Sequence, residues 1–175
     1  VQETKAPEGY LINSEIFAQK ITGDRKAETV SCYQTASIPE QVYRGDLEFV
    51  KVGDGEQNRL ANVPFTITSK TTGESHIIVT DKNGYASTSS DWVKHSQNTN
   101  RGESSSDGIW FGSGPVDDHR GALPYDTYLL EEERCEANEG MNLLKIEVTI
   151  YKDSVTVPLG TLTDDKIEIG TTALD

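Results

Sequence analysis

Positive charge, sulfur and long apolar runs are all scarce in this sequence, and each shortage removes a class of function. Lysine and arginine number 16 against 29 acidic residues, giving a formal net charge of −13. Such a field repels phosphate backbones and anionic lipid heads, so nucleic acid is excluded as a partner and this segment is expected to make no membrane contact. No apolar run approaches the roughly 18–20 residues of a membrane span, and no signal peptide precedes Val1, so any export signal is expected elsewhere. The two cysteines, Cys32 and Cys135, are too few for the disulfide framework that staples small secreted domains, and they read as isolated small hydrophobes rather than as a pair. No Gly-x-Ser-x-Gly elbow presents a nucleophile. No enzyme turning over a substrate is expected, and no cofactor.

What is present is β-forming. Thr, Val, Ile and Tyr recur in short alternating runs broken by Gly, Asn and Asp, and nothing longer than a turn or two keeps a 3.6-residue apolar period. The runs predict strands over 15–22, 27–34, 46–52, 63–69, 75–80, 126–132, 143–151 and 154–163. Asp81-Lys82-Asn83-Gly84 and Lys152-Asp153 supply turns between some of them. Spacing of this kind suits a β-sandwich, and 175 residues give one such domain plus a flanking piece.

One stretch, 87–121, breaks the pattern. Ser, Asn, Gly, Asp and His dominate it, and only Trp92, Ile109, Trp110 and Phe111 are strongly apolar, so a long excursion between two strands is expected. Trp92, Trp110 and Phe111 either staple this insert onto the sheet, the favoured reading, or form a stacking platform for a ligand such as a sugar. His95, Asp107, Asp117, Asp118 and His119 lie in or beside it without the tight spacing of a metal site and read as a solvated polar loop, so no metal is expected. Arg44-Gly45-Asp46 matches an integrin-type tripeptide but falls where a linker enters a strand, and is read as chance.

Gln2-Glu3-Thr4-Lys5-Ala6-Pro7-Glu8-Gly9-Tyr10 shares its layout with Glu132-Glu133-Arg134-Cys135-Glu136-Ala137-Asn138-Glu139-Gly140: an acid-led strand end runs into a Gly turn. Two copies of one element predict tandem domains. Glu3 to Tyr10 resembles the late-strand signature of the Cna B-type, or SpaA-like, pilin domains of Gram-positive surface proteins. Asp46-Leu47-Glu48-Phe49-Val50-Lys51-Val52 is similar to their first strand and Leu60-Ala61-Asn62-Val63-Pro64-Phe65 to their second. Thr80 to Gly84 is similar to their central turn, and Leu123 to Glu132 to their acidic strand. The sequence departs from the pattern in the 87–121 insert and after Glu132, where Cys135-Glu136-Ala137-Asn138 replaces the Ala-Pro-x-Gly-Tyr ending.

The resemblance implies an all-β, Ig-like (prealbumin-like, Cna B-type) sandwich over 44–168 with a long loop insertion. Residues 1–43 would then be the tail of a preceding copy, and 169–175 a linker to a following domain. It implies a stalk or adhesin module on the surface or cell wall of a Gram-positive bacterium, with neighbouring domains of the same protein as partners. The alternative is an adhesin module whose insert binds a host glycan or extracellular-matrix ligand. In the resembled domains a first-strand Lys condenses with a last-strand Asn or Asp, promoted by a Glu between them.

The residues here fit that chemistry on physical grounds. The period of two puts Leu47, Phe49 and Lys51 on one face, Tyr128, Leu130 and Glu132 on one face, and Leu162 with Asp164. A core-facing lysine among carboxyls needs a reason, and burial favours the uncharged forms of both groups, making the amine a nucleophile. Lys51 and Asp164 are therefore the expected cross-link and Glu132 its promoter. Asp165 is the alternative acyl partner, because a bulge at Gly160 would switch faces.

Overall fold

The structure, a computed structural model, describes residues 2–15, 41–53, 58–98 and 101–163. The strands predicted over 15–22 and 27–34 fall outside the described residues apart from residue 15, as do Cys32, Asp164 and Asp165. The chain divides into two compact units, Val1–Val42 and Tyr43–Asp175. In the first, β1 (Tyr10–Leu11) pairs antiparallel with β2 (Gln41–Val42), with Tyr10 opposite Val42. The Tyr10 N–H closes a turn onto the Pro7 carbonyl at 3.1 Å.

The second unit holds β3 (Arg44–Lys51), β4 (Pro64–Ser69), β5 (Ser75–Val79), β6 (Tyr85–Ser87), β7 (Leu123–Pro124), β8 (Asp126–Glu132), β9 (Lys145–Ile150) and β10 (Thr156–Leu162). One sheet runs β10-β3-β6, with β7 also pairing to β3, and the other runs β5-β4-β8-β9. The pairing of β10 with β3 is parallel. The other pairs are antiparallel.

Burial alternates along all of β4 and, after their first residue, along β3 and β8, as a strand with one face on a core requires. Leu47 and Phe49 from one sheet meet Phe65, Ile67, Tyr128, Leu130, Val148 and Ile150 from the other, with Val157, Leu159 and Leu162 closing the edge. The Phe49 and Phe65 rings cross edge to face at 4.6 Å. Each such side chain taken fully out of water is worth roughly 1.5–3 kcal/mol.

The Asp81–Gly84 turn forms as its residue types demand: Asp81 Oδ1 accepts from the N–H groups of Asn83 and Tyr85 at 2.8 and 2.9 Å. Gly84 sits at φ 71, in the left-handed region open to glycine. It delivers the short β6, which sequence alternation left unassigned because three residues are too few to show a period. In β10 the register with β3 shifts between Pro158 and Thr161, and Gly160 at φ 71 absorbs the irregularity. That is the bulge expected at Gly160.

The insert lies between β6 and β7. It is anchored by an arginine rather than by a strand. Arg44, only 6% exposed, donates through Nε to the Gly121 carbonyl at 2.7 Å and through Nη2 to the carbonyls of Phe111 and Ala122 at 2.6 and 2.9 Å. Its guanidinium lies 3.6 Å from the centre of the Trp110 ring. Gly121 lets the end of the insert lie against the backbone of β3, because a Cβ there would come within 2.4 Å of the Gly45 carbonyl oxygen. Burial, reinforced by the like charge of Arg120 and opposed by Tyr128, Asp46 and Glu74, lowers the Arg44 guanidinium to about 10. Among the described residues no helix is long and apolar enough to cross a membrane.

Candidate functional site

Lys51 is the last residue of β3 and Glu132 the last of β8, so each sits where an inward-facing row of apolar side chains ends. Both stay on the core face. Lys51 is 0% exposed and Glu132 3%, and Lys51 Nζ lies 3.4 Å from Glu132 Oε2. The backbone of Lys51 is fixed on both sides: its N–H donates to the Gly84 carbonyl at 2.7 Å, and its carbonyl accepts from Leu60 N at 3.0 Å. Leu162 of β10 is its register partner. Both backbone groups of Lys51 are thus held, and its amine meets the end of the other sheet at Glu132.

The carboxylate is held more completely than the amine. Glu132 Oε1 accepts from Asn138 Nδ2 at 2.9 Å and Oε2 accepts from the Leu144 N–H at 3.0 Å. Lys51 Nζ, by contrast, makes no hydrogen bond of acceptable geometry among the described residues, and neither does the Thr163 hydroxyl beside the end of β10. A buried ammonium with one carboxylate at ion-pair distance leaves most of its hydrogen-bonding capacity unused, which is costly. Chemically, the pair sets a nucleophile-forming nitrogen against a proton acceptor in a pocket closed to bulk solvent.

Lys51 and Glu132, two of the predicted site residues, are thus together, while Asp164 and Asp165 lie outside the described residues. Asn138 stands in the sequence only as part of a departure from the family pattern, with no role given it, yet it is 0% exposed and contacts the Glu132 carboxylate. The available signal was the departure after Glu132, since the stretch that breaks the family pattern is the one that carries Asn138.

The insert aromatics separate. Trp110 and Phe111 are 4% and 1% exposed. Trp110 is covered by Arg44, and Phe111 packs edge to face against Tyr128 at 5.2 Å and His76 at 4.6 Å. These two staple the insert to the sandwich, so they offer no open stacking face. Trp92 is half-buried, edge to face with Tyr85 at 4.7 Å, beside an open hollow of ≈ 240 Å³ that Glu48, Ser87 and Asp91 also line. His95 holds the insert from within, with its ring nitrogens 3.1 Å from the Asp117 carbonyl and 3.1 Å from the Thr88 carbonyl. Among the described residues no group of three or more His, Cys, Asp or Glu is placed to hold a metal ion.

No protein-family model matches the chain, and no curated protein does either. Solved structures do. Over 93% of its length the chain superposes on the Bacillus anthracis TIE protein at a TM-score of 0.54 and 21% identity, spanning 23% of that protein. Over 71% it superposes on the minor pilin GBS52 of Streptococcus agalactiae at a TM-score of 0.43 and 17% identity, spanning 46% of it. Over 71% again it superposes on BcpA, the major pilin subunit of Bacillus cereus, at 0.40 and 18%, spanning 31%. At such identities a likeness speaks for the fold alone, and the first shows it: the chain is an all-β sandwich of the kind found in a segment of the Bacillus anthracis TIE protein.

Proposed function

We propose that this chain is a structural module of a Gram-positive cell-surface protein, carried outside the cell between neighbouring domains of the same polypeptide. In this reading an intramolecular amide between Lys51 and Asp164 stabilises it. The observation that carries the proposal is the fully buried Lys51 amine facing the buried Glu132 carboxylate across the sandwich. Leu162, two positions before Asp164 in the sequence, is the strand partner of Lys51.

The reaction is a condensation. With a proton passed from Nζ to Glu132, the neutral amine attacks Cγ of the protonated Asp164 carboxyl. A C–N bond forms, the C–O bond breaks, and the hydroxyl leaves as water with the proton that Glu132 returns, while the second proton shed by the attacking nitrogen passes to Glu132, which ends neutral. Strand pairing supplies the proximity, worth several orders of magnitude in effective molarity. Each molecule reacts once, so this is self-modification and not enzymatic turnover. The product amide is uncharged, which removes the cost of keeping ionised groups in the core. Closing a loop of about 113 residues, from 51 to 164, withdraws roughly 4–5 kcal/mol of unfolded-state entropy in the chain-entropy account.

The proposal assigns 44–168 to the cross-linked sandwich, 1–43 to the tail of a preceding similar domain and 169–175 to a linker. Asp165 is the alternative acyl partner. The rival reading, a glycan- or matrix-binding site on the insert, rests on Trp92, Trp110 and Phe111, two of which are buried. Intact mass of the denatured chain tests the cross-link. Wild type is expected one water lighter than its sequence mass, with the deficit absent in Lys51→Ala and Asp164→Ala; full mass in the wild type sinks the proposal.

A further inference from the structure

We infer that Asn138 is a positioning residue for this condensation: it fixes the Glu132 carboxyl so that the shuttled proton is carried on Oε2, the oxygen facing Lys51. The inference rests on the cross-linking reading above.

Asn138 ends a three-residue 3-10 turn, Glu136–Asn138, in which Glu136 is exposed, as is Glu139 just beyond it. Asn138 alone of these polar side chains is drawn wholly into the core. Its amide is fully committed. Nδ2 donates to Glu132 Oε1 at 2.9 Å and to the Glu133 carbonyl at 2.8 Å, while Oδ1 accepts from the Cys135 N–H at 2.7 Å. Its own carbonyl is held by the Met141 N–H at 3.0 Å and by the Arg134 guanidinium. The group cannot rotate to exchange its oxygen for its nitrogen, because both amide hydrogens face acceptors and the oxygen faces a donor.

The consequence is chemical. Held by the Asn138 amide on Oε1 and by the Leu144 N–H on Oε2, the carboxyl cannot turn, so Oε2 stays the oxygen that faces the amine. Oε2 also accepts from Leu144 N at 3.0 Å, but a protonated oxygen keeps a lone pair for that bond. The proton that leaves Nζ therefore arrives on Oε2, 3.4 Å away, and is returned from the same atom to the departing hydroxyl. Without Asn138 the carboxyl is free to turn and to carry its proton on the far oxygen, out of reach of the reacting groups. A residue that only capped the turn would hold Cys135 N and Glu133 O without touching Glu132.

The test follows one-water mass loss with time in the full chain, synthesised cell-free and quenched in denaturant at intervals. Wild type, Asn138→Leu and Asn138→Asp are compared across acidic to neutral pH, with circular dichroism establishing that each folds. Asn138→Leu, nearly isosteric but unable to donate, is expected to lose water roughly 10²-fold more slowly, the scale set by a misplaced reacting group. Asn138→Asp is expected to be slow at neutral pH and to recover in acid, where a protonated carboxyl again donates to Oε1. A turn-capping role alone gives no such pH-dependent rescue. Folded Asn138→Leu reacting at the wild-type rate overturns the inference, as does loss of ammonia in place of water from the wild type, which would make Asn138 the acyl donor. Should Asn138→Leu fail to fold, a pH-independent rate in Asn138→Asp overturns it equally. A wild type that never loses mass removes the cross-linking reading itself, a separate outcome from these.

Discussion

At the residue scale the molecule places charge where it is expensive and then compensates it. Lys51 and Glu132 share a deeply buried end of the core, so losing one partner strands the other. Lys51→Met, Glu132→Leu and the double variant all lack the machinery for the amide, which lets urea unfolding isolate the ion pair. The double variant is expected to exceed either single one in stability by roughly 3–5 kcal/mol; equal stabilities would mean that the two groups do not depend on each other. Asp126 supplies the pH-dependent counterpart. Burial by itself would raise its carboxyl, but hydrogen bonds from the Ser69 and Thr71 hydroxyls and the Thr127 N–H outweigh it and hold the group below its ordinary value of 3.8. An acid lowered on folding adds stability that is present above the unfolded value and is lost as pH falls through the lowered one. Asp126→Asn is therefore expected to melt below wild type at neutral pH, with the gap closing in acid below pH 3.8; a gap that persists there would mean that the carboxylate's charge is not what the site uses.

At the element scale, the insert is governed by side-chain anchors. Arg44 satisfies three buried carbonyls, those of Phe111, Gly121 and Ala122, and roofs Trp110. Arg44→Met keeps the apolar stem and leaves the three acceptors without their donor, a loss of roughly 2–4 kcal/mol after partial hydration. Thermal melting should register it, and the Trp110 fluorescence should become quenchable by acrylamide; an unchanged melt with Trp110 still protected would mean that Ile109 and Phe111 hold the insert unaided. The strand runs at 46–52, 63–69, 75–80, 126–132, 143–151 and 154–163 were legible because each has a face that alternates over five or more residues. β6 and β7, at three and two residues, carry no readable period, and their pairing with β3 exists only because the chain returns there. The turn that buries Asn138 was equally opaque, since an Asn between two exposed Glu residues has the composition of any solvated loop.

At the scale of the whole sandwich, the parallel pairing of β3 with β10 sets how load would pass. Tension applied through the two ends of this unit enters at the start of β3 and leaves at the end of β10, so the two strands are sheared along their shared ladder. A tie from Lys51 to Asp164 would join the strand ends and take everything between them out of the load path. Single-molecule pulling should then show no extension from this unit in the wild type, and in Lys51→Ala a step near 400 Å, the reach of about 113 residues at about 3.6 Å each. A full-length step in the wild type would contradict the load-bypass arrangement.

Local pattern determined a good deal by itself. Period-two alternation gave the all-β class, and it put Lys51 and Glu132 on inward faces before any partner was visible, because side-chain direction in a strand follows from parity alone. Acidic excess set a negative field without reference to shape. Only the tertiary structure decided the rest: that the ends of β3 and β8, some eighty residues apart in the chain, meet within 3.4 Å, that Asn138 turns in to grip the Glu132 carboxylate, and that Trp110 and Phe111 face the core. Such meetings depend on which sheet faces which and on how each loop returns. Those are long-range choices made by the free energy of the packed whole, and no short window of sequence contains them.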